Sequence, residues 1–262
     1  MRRASTCLAV LGLALVALPG VASAIPTVTF KAEAVPIPGY TKGTGNILGA
    51  GAALKAEYKI SGTEYDGAPP PIDHVNFYLP SGSKLHTQGF PTCSKATLEQ
   101  IGPIGCKKGS EAGPIGKAEG FVNFGHEPVE ENLALSSFYA EGGGIFFFGK
   151  GTDPAEIEVI SSGRYINVGG AGGFGPELET EVPLVLSIAG GLFASVKTIT
   201  VEAGSAIGPK NNPKKDTYYG RVPKKCPKGG FPLKTEVTFA ENGEISKPET
   251  VTKTYKAPCP RK

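Results

Sequence analysis

The sequence predicts an all-β fold, an antiparallel β-sandwich of jelly-roll type with one short helix in a disulfide-clipped elbow. Three observations carry this. Apolar residues recur at every second position, as where Leu54, Ala56, Tyr58 and Ile60 alternate with Lys55, Glu57 and Lys59, the period of a strand with one buried face. The runs are short and divided by turn residues, and the chain holds 37 Gly and 23 Pro, which suits many strands joined by tight turns. Cys93, Cys106, Cys226 and Cys259 form an even set beyond an export-type leader, which reads as two disulfides. Low-complexity disorder is the competing reading of the glycine. It is set aside because apolar residues make up 40% of the chain and recur at strand spacing.

The leader comes first. Arg2-Arg3 precede an apolar run from Cys7 to Leu18, and Ala22-Ser23-Ala24 follows. A basic head, a short apolar core and a small-residue site define a secretory signal peptide, with cleavage expected after Ala24. No later run reaches roughly 18 apolar residues, so no transmembrane span is expected in the mature chain. The expected organisation is a signal peptide over 1–24, a β-sandwich domain over 25–208, and a basic loop with a disulfide-tied hairpin over 209–262, packed on the same domain.

The first strand begins at Thr27 to Lys31, and Tyr40 to Gly51 is a Gly-rich connector. Its G-T-G-N-I-L-G run lacks the Lys-Ser/Thr ending of a phosphate loop and reads as a turn. From Ile72 to Leu79, Val75, Phe77 and Leu79 share one face, and Pro80-Ser81-Gly82 ends the strand. Ser94 to Ile101 reads as a helix with Ser94 as its cap and Gly102-Pro103 as its stop. Cys93 and Cys106 flank it. Three pairings of the four cysteines are open; proximity favours Cys93–Cys106 and Cys226–Cys259, closing loops worth about 3 and about 4 kcal/mol in the chain-entropy model. Further strands are expected at Gly116–Phe124, Leu133–Tyr139, Gly144–Phe148, Ile157–Ile160, Tyr165–Val168 and Leu192–Val201, with an acidic loop at Glu127–Asn132. Phe146, Phe147 and Phe148 put aromatics on both faces, as a strand covered on both sides requires. The last element is a hairpin, Lys234–Ala240 and Thr250–Lys256, turning at Glu241-Asn242-Gly243.

Charge is uneven. Residues 25–208 carry 12 bases against 19 acids, a balance of −7, and residues 209–262 carry 13 bases against 5 acids, a balance of +8. Lys210, Lys214, Lys215, Arg221, Lys224, Lys225 and Lys228 are the candidate contacts to an anionic surface. The plain alternative is a solvated lysine-rich loop.

No catalytic signature stands out. G-x-S-x-G is absent, and His74, His86 and His126 are scattered, so no metal or cofactor site is expected. Two carboxylates suffice for glycoside hydrolysis. The candidates are Glu127, Glu130 and Glu131, or Glu177, Glu179 and Glu181, which alternate along one strand face. Like charges on one face also serve to keep an edge strand from pairing. Tyr78, Tyr139, Tyr165 and Tyr218-Tyr219 offer ring surfaces in a chain with no Trp.

F-P-T-C-S-K-A-T-L from Phe90, C-K-K-G-S-E-A-G from Cys106 and C-P-K-G-G-F-P from Cys226, ending in A-P-C-P, resemble elements of exported, disulfide-containing β-rich proteins of Gram-positive bacteria. Lys107 stands where that pattern has Pro. The group has no assigned activity, so the resemblance implies a secreted β-rich protein and supplies no site residues. The expected function is a secreted, non-catalytic binding or structural role at the cell envelope or outside the cell. The expected partners are cell-wall polymer, polysaccharide or another envelope protein, and nucleic acid is not expected. An extracellular polysaccharide hydrolase and an electrostatic adhesin built on the basic segment are the rival readings.

Overall fold

The structure is a computed structural model that describes residues 26–124, 127–184, 193–210, 212–241 and 244–260, with backbone alone for 241 and 244–248. The leader, His126, the 185–192 run, Asn211 and the Asn242-Gly243 turn lie outside the described residues. In chain order the elements are β1 (Thr27–Val35), β2 (Ala53–Ser61), β3 (Ile72–Pro80), β4 (Lys84–Leu85), α1 (Lys95–Gln100), β5 (Gly116–Phe124), β6 (Glu127–Tyr139), β7 (Ile145–Gly151), β8 (Ile157–Asn167), β9 (Phe174–Glu181), β10 (Ala194–Ala203), β11 (Ala206–Ile207), β12 (Thr217–Tyr218), β13 (Gly220–Arg221), β14 (Phe231–Glu241) and β15 (Glu244–Ala257).

The all-β, antiparallel expectation holds, but the two facing sheets of a sandwich are not what forms. Eleven strands make one sheet in the order β1-β2-β10-β5-β6-β7-β8-β9-β3-β14-β15, and it curls until β1 lies along β15, nearly closing a barrel. The main apolar face of the sheet turns to one interior, and β10 bridges β2 to β5 while β3 bridges β9 to β14. The sheet therefore rolls up rather than splitting into two layers. Register shifts at Val196/Thr198, Tyr78/Pro80 and Thr238/Phe239 are bulges of the kind that sharpen twist. Because neighbours are antiparallel and the strand number is odd, β1 and β15 run the same way. No hydrogen-bonded ladder joins them among the described residues. Side chains close the seam instead, with the Phe30 and Tyr255 rings 6.3 Å apart.

The interior is filled from one side of each strand. Val28, Phe30 and Ala32 on β1, Ala56, Tyr58 and Ile60 on β2, and Phe231, Leu233, Val237 and Phe239 on β14 are buried together. Lys31, Lys55, Glu57, Lys59, Lys117 and Glu119 face outward. This polarity is the reverse of a membrane-spanning barrel, whose outer band is apolar. No helix among the described residues is long and apolar enough to cross a membrane.

Several boundaries differ from expectation. Glu127–Asn132 is the start of β6, not a loop, because Val129, Glu131, Leu133 and Leu135 keep strand alternation through the acidic run. The separate strands expected at Ile157–Ile160 and Tyr165–Val168 are one, β8. The C-terminal hairpin is longer than expected and belongs to the main sheet through β14 and β3.

The elbow packs on the outside. Leu98 of α1, with no exposure, sits with Cys93, Phe138, Phe148 and Ile160. Phe148 is thus covered by the helix while Phe147 points into the barrel, as the triple-phenylalanine run requires. The Ser94 hydroxyl accepts from the Thr97 N–H at 3.0 Å and caps α1. Replacing Ser94 with Ala removes that acceptor and is expected to lower stability by about 1 kcal/mol, read as a shift of the urea midpoint. Both favoured cysteine pairs form, Cys93–Cys106 with Cα atoms 5.1 Å apart and Cys226–Cys259 with Cα atoms 5.8 Å apart. Residues 205–210 and 212–222 cross one end of the barrel. They are stitched there by Tyr219 N–H to Ser205 O, Ala52 N–H to Gly220 O, and Val222 N–H to Ala50 O.

Candidate functional site

A barrel of eight strands is just wide enough for its own side chains to fill, and diameter grows with strand number. Eleven strands therefore enclose more room than ordinary side chains occupy, and several inward positions here are small. Ala56, Ala118, Gly149 and Gly151 all face the interior. At Gly151 an added Cβ would lie 2.4 Å from Glu131 Oε1, so that position admits no side chain while the carboxylate stays in place. The result is an interior cavity of about 360 Å³. Its walls are mostly apolar, with Val75, Phe77, Leu133, Val159, Leu178 and Ile199 among them. The volume and the apolar lining are those of a site for one small molecule.

The cavity runs along the barrel between two chemically different ends. At the capped end its lining includes Lys84 and Arg221, register partners on β4 and β13. The Arg221 guanidinium lies over the Tyr218 ring at 4.7 Å and donates to Gly49 O at 3.4 Å. Beside them Tyr139 and Tyr219 stack with centroids 4.0 Å apart, and Phe90 packs edge-on to both. Burial pushes the Tyr219 phenol up to about 12 and raises those of Tyr139 and Tyr165 further, so these rings are neutral at physiological pH. The Tyr58 phenol is raised for the same reason, and its hydroxyl meets Thr235 Oγ1 at 3.2 Å.

At the opposite end stands Glu131. It is 1% exposed, the inward residue of β6 opposite Gly120 of β5. Its Oε2 accepts from the Ala155 N–H at 3.1 Å, in the loop between β7 and β8. Its Oε1 is buried and has no hydrogen-bond partner among the described residues. An acceptor taken from water and left unpaired costs about 1–3 kcal/mol, so this atom is an unmet demand inside an otherwise apolar wall.

No family model, no curated protein and no solved structure matches the chain. The functional reading therefore rests on this geometry. The two disulfides are where the sequence placed them. Of the basic candidates, Lys210, Lys214, Lys215, Lys224, Lys225 and Lys228 are exposed, whereas Arg221 is half-buried in the cap. The carbons of Pro213 and Lys224 approach Gly43 and Gly49, which places this segment against the loop after β1.

The two sets of carboxylate candidates lie on different strands, Glu127, Glu130 and Glu131 on β6 and Glu177, Glu179 and Glu181 on β9. Glu130 points outward to Lys197 at 3.2 Å while its neighbour Glu131 points inward. Glu177, Glu179 and Glu181 share the outer face of β9, where Glu179 takes Arg164 Nε at 2.6 Å and Glu177 is buried beside Tyr78. Tyr78 in turn donates to Glu236 at 2.7 Å and lies under Lys234 Nζ at 3.6 Å. His74 Nδ1 and Asp73 Oδ2 meet at 2.7 Å although adjacent strand residues normally diverge; the bulge between Thr238 and Phe239 lies opposite them. Among the described residues no three of His, Cys, Asp and Glu come together as a metal site. Glu131 is a candidate that sequence reading placed in an acidic loop and the structure places in a strand, facing inward. Its signal was the alternation of Val129, Leu133 and Leu135, hidden by the neighbouring acids.

Proposed function

We propose that the protein is an exported, non-catalytic binding protein that holds one small, predominantly apolar molecule inside its barrel. The observation that carries this is the 360 Å³ cavity, walled by inward aliphatic and aromatic side chains of most strands. Apolar surface transferred from water into such a space gains roughly 25 cal/mol per Å², which drives binding without any reaction centre. The leader at 1–24 and the two disulfides support export. Six exposed lysines from Lys210 to Lys228 support retention at an anionic envelope polymer, a contact that salt would screen.

The test is binding of N-phenyl-1-naphthylamine, a dye that brightens in apolar surroundings, to the oxidised chain. One saturable site per chain is expected. Ala118 lines the cavity from β5, between Ile199 and Leu133, and Ala118→Phe fills the space. That variant is expected to keep its fold by circular dichroism and to lose at least about tenfold in dye affinity, since a filled pocket forfeits the buried contact area. Undiminished binding by a folded Ala118→Phe variant would place the dye elsewhere and sink the proposal.

A further inference from the structure

We propose that the capped end of the barrel docks on an anionic lipid bilayer, with Ile47 and Leu48 entering the lipid and the surrounding cations meeting its headgroups. The docking goes beyond the cavity reading and stands without it. Ile47 is 52% and Leu48 44% exposed, side by side at the tip of the loop between β1 and β2. Backbone bonds hold that tip in place. Gly45 N–H to Gly51 O at 2.8 Å closes its neck, and Ala50 N–H to Ile47 O at 3.1 Å turns it. Gly49 N–H to Pro223 O at 3.2 Å ties it to the segment across the cap. The apolar pair is therefore presented to the outside on a fixed frame.

The same frame rings the tip with cations. Arg221 donates to Gly49 O at 3.4 Å. The Lys224 Cγ lies 3.3 Å from where a Cβ on Gly49 would sit, and Lys84 is the register partner of Arg221. Lys84, Lys224 and Lys225 are exposed. Residues 36–52, 81–92 and 205–230, which build this end, carry nine bases and one acid, Asp216, which is 5% exposed. An apolar tip in a cationic rim anchors a protein at a membrane interface, because insertion and charge attraction add where either alone is weak. The charge selects an anionic partner. The apolar pair selects a bilayer over a polymer, since a hydrated polymer offers Ile47 and Leu48 no apolar phase to enter. Outward Lys31, Lys55, Glu57 and Lys59 keep the barrel wall in water, so penetration stops at the tip. Docked this way, the end of the cavity lined by Asn46, Lys84 and Pro223 lies nearest the lipid.

The chain has no Trp, so a single introduced indole reports its own surroundings. Leu48→Trp places one at the tip. Phe124→Trp places one at the far end of the barrel, beyond Gly120 and Glu131, where the native ring is 41% exposed. Each variant is mixed with vesicles of phosphatidylglycerol and phosphatidylcholine in equal parts, and with vesicles of phosphatidylcholine alone. On the mixed vesicles the Leu48→Trp emission is expected to shift to the blue and to be quenched by brominated acyl chains, while Phe124→Trp is unchanged. Phosphatidylcholine alone should produce neither effect. Co-sedimentation of the Trp-free chain with the mixed vesicles is expected to fall by about tenfold or more when Ile47 and Leu48 both become Ser, or when Lys224 and Lys225 both become Gln. All four side chains are exposed, so circular dichroism should not change. Co-sedimentation without a blue shift at Leu48→Trp means charge contact alone and overturns the inference. A shift at both indoles, no co-sedimentation at all, or undiminished co-sedimentation of the folded Ser variant overturns it as well. Binding of N-phenyl-1-naphthylamine without vesicles reads the cavity separately, so the two readings fail independently.

Discussion

Replacing Phe30 with Ala is expected to destabilise the protein by about 3–5 kcal/mol, the range for deleting a buried aromatic ring. Phe30 is 6% exposed and stands on β1, at the seam. Its ring lies 5.1 Å from Tyr58, 5.5 Å from Phe77 and 6.3 Å from Tyr255. It therefore binds β1 to its hydrogen-bonded neighbour β2, to β3 across the interior, and to β15 across the gap. The cost falls at the upper part of the range because no backbone ladder between β1 and β15 takes over when the ring is gone. Urea unfolding checks it: the midpoint should fall, and amide exchange along β1 should quicken more than along β7, which is paired on both sides. A loss under about 1 kcal/mol, the scale of a surface change, would show that the seam is not closed by this ring.

Removal of the Cys226–Cys259 bond by a double Ser substitution is expected to cost about 4 kcal/mol through the freed unfolded chain. For a protein of this size that corresponds to a fall in Tm of roughly 8–16 °C. The bond spans 33 residues, the whole of the last hairpin, and fixes the outgoing end of β15 to the segment before β14. Cys226 also packs against the main core, so its tether reaches the barrel interior and not just a loop. Calorimetry on oxidised protein gives the reference. The corresponding change at Cys93 and Cys106 should cost about 3 kcal/mol, because 13 residues close a smaller loop. A larger loss for the elbow pair than for the hairpin pair would contradict the loop-entropy account. Dye binding should also weaken in the Cys226 and Cys259 variant, since β14 supplies Phe231 and Leu233 to the cavity wall.

Local structure was legible wherever alternation was uninterrupted. Ile72–Leu79 and Gly116–Phe124 are strands because each places apolar or small residues at every second position between polar ones, and Ser94 announces α1 because its hydroxyl has a backbone N–H to meet. The cysteine pairs were legible because each brackets one local element, a short helix in one case and a hairpin in the other. The barrel was not. Its closure depends on β10 entering between β2 and β5 and on β3 entering between β9 and β14, and nothing local in Leu54–Ile60 names Val201 or Ile199 as its partner. A sandwich and a barrel ask the same alternation of each strand, so the pattern fits both. Glu131 was illegible for a related reason. Beside Glu130 it reads as one of two solvated acids, and only the pleat sends one out and one in.

The odd number of strands has a mechanical consequence. A fully paired cylinder resists widening everywhere, because each increment of girth stretches shared amide bonds. Here the girth is interrupted along one line, between the first strand and the last, where aromatic and aliphatic groups touch without an amide ladder among the described residues. The wall is a split ring: widening it along that line parts side-chain contacts and breaks no amide ladder among the described residues, while the Cys226–Cys259 crosslink pins the end of the last strand to the segment before its hairpin partner.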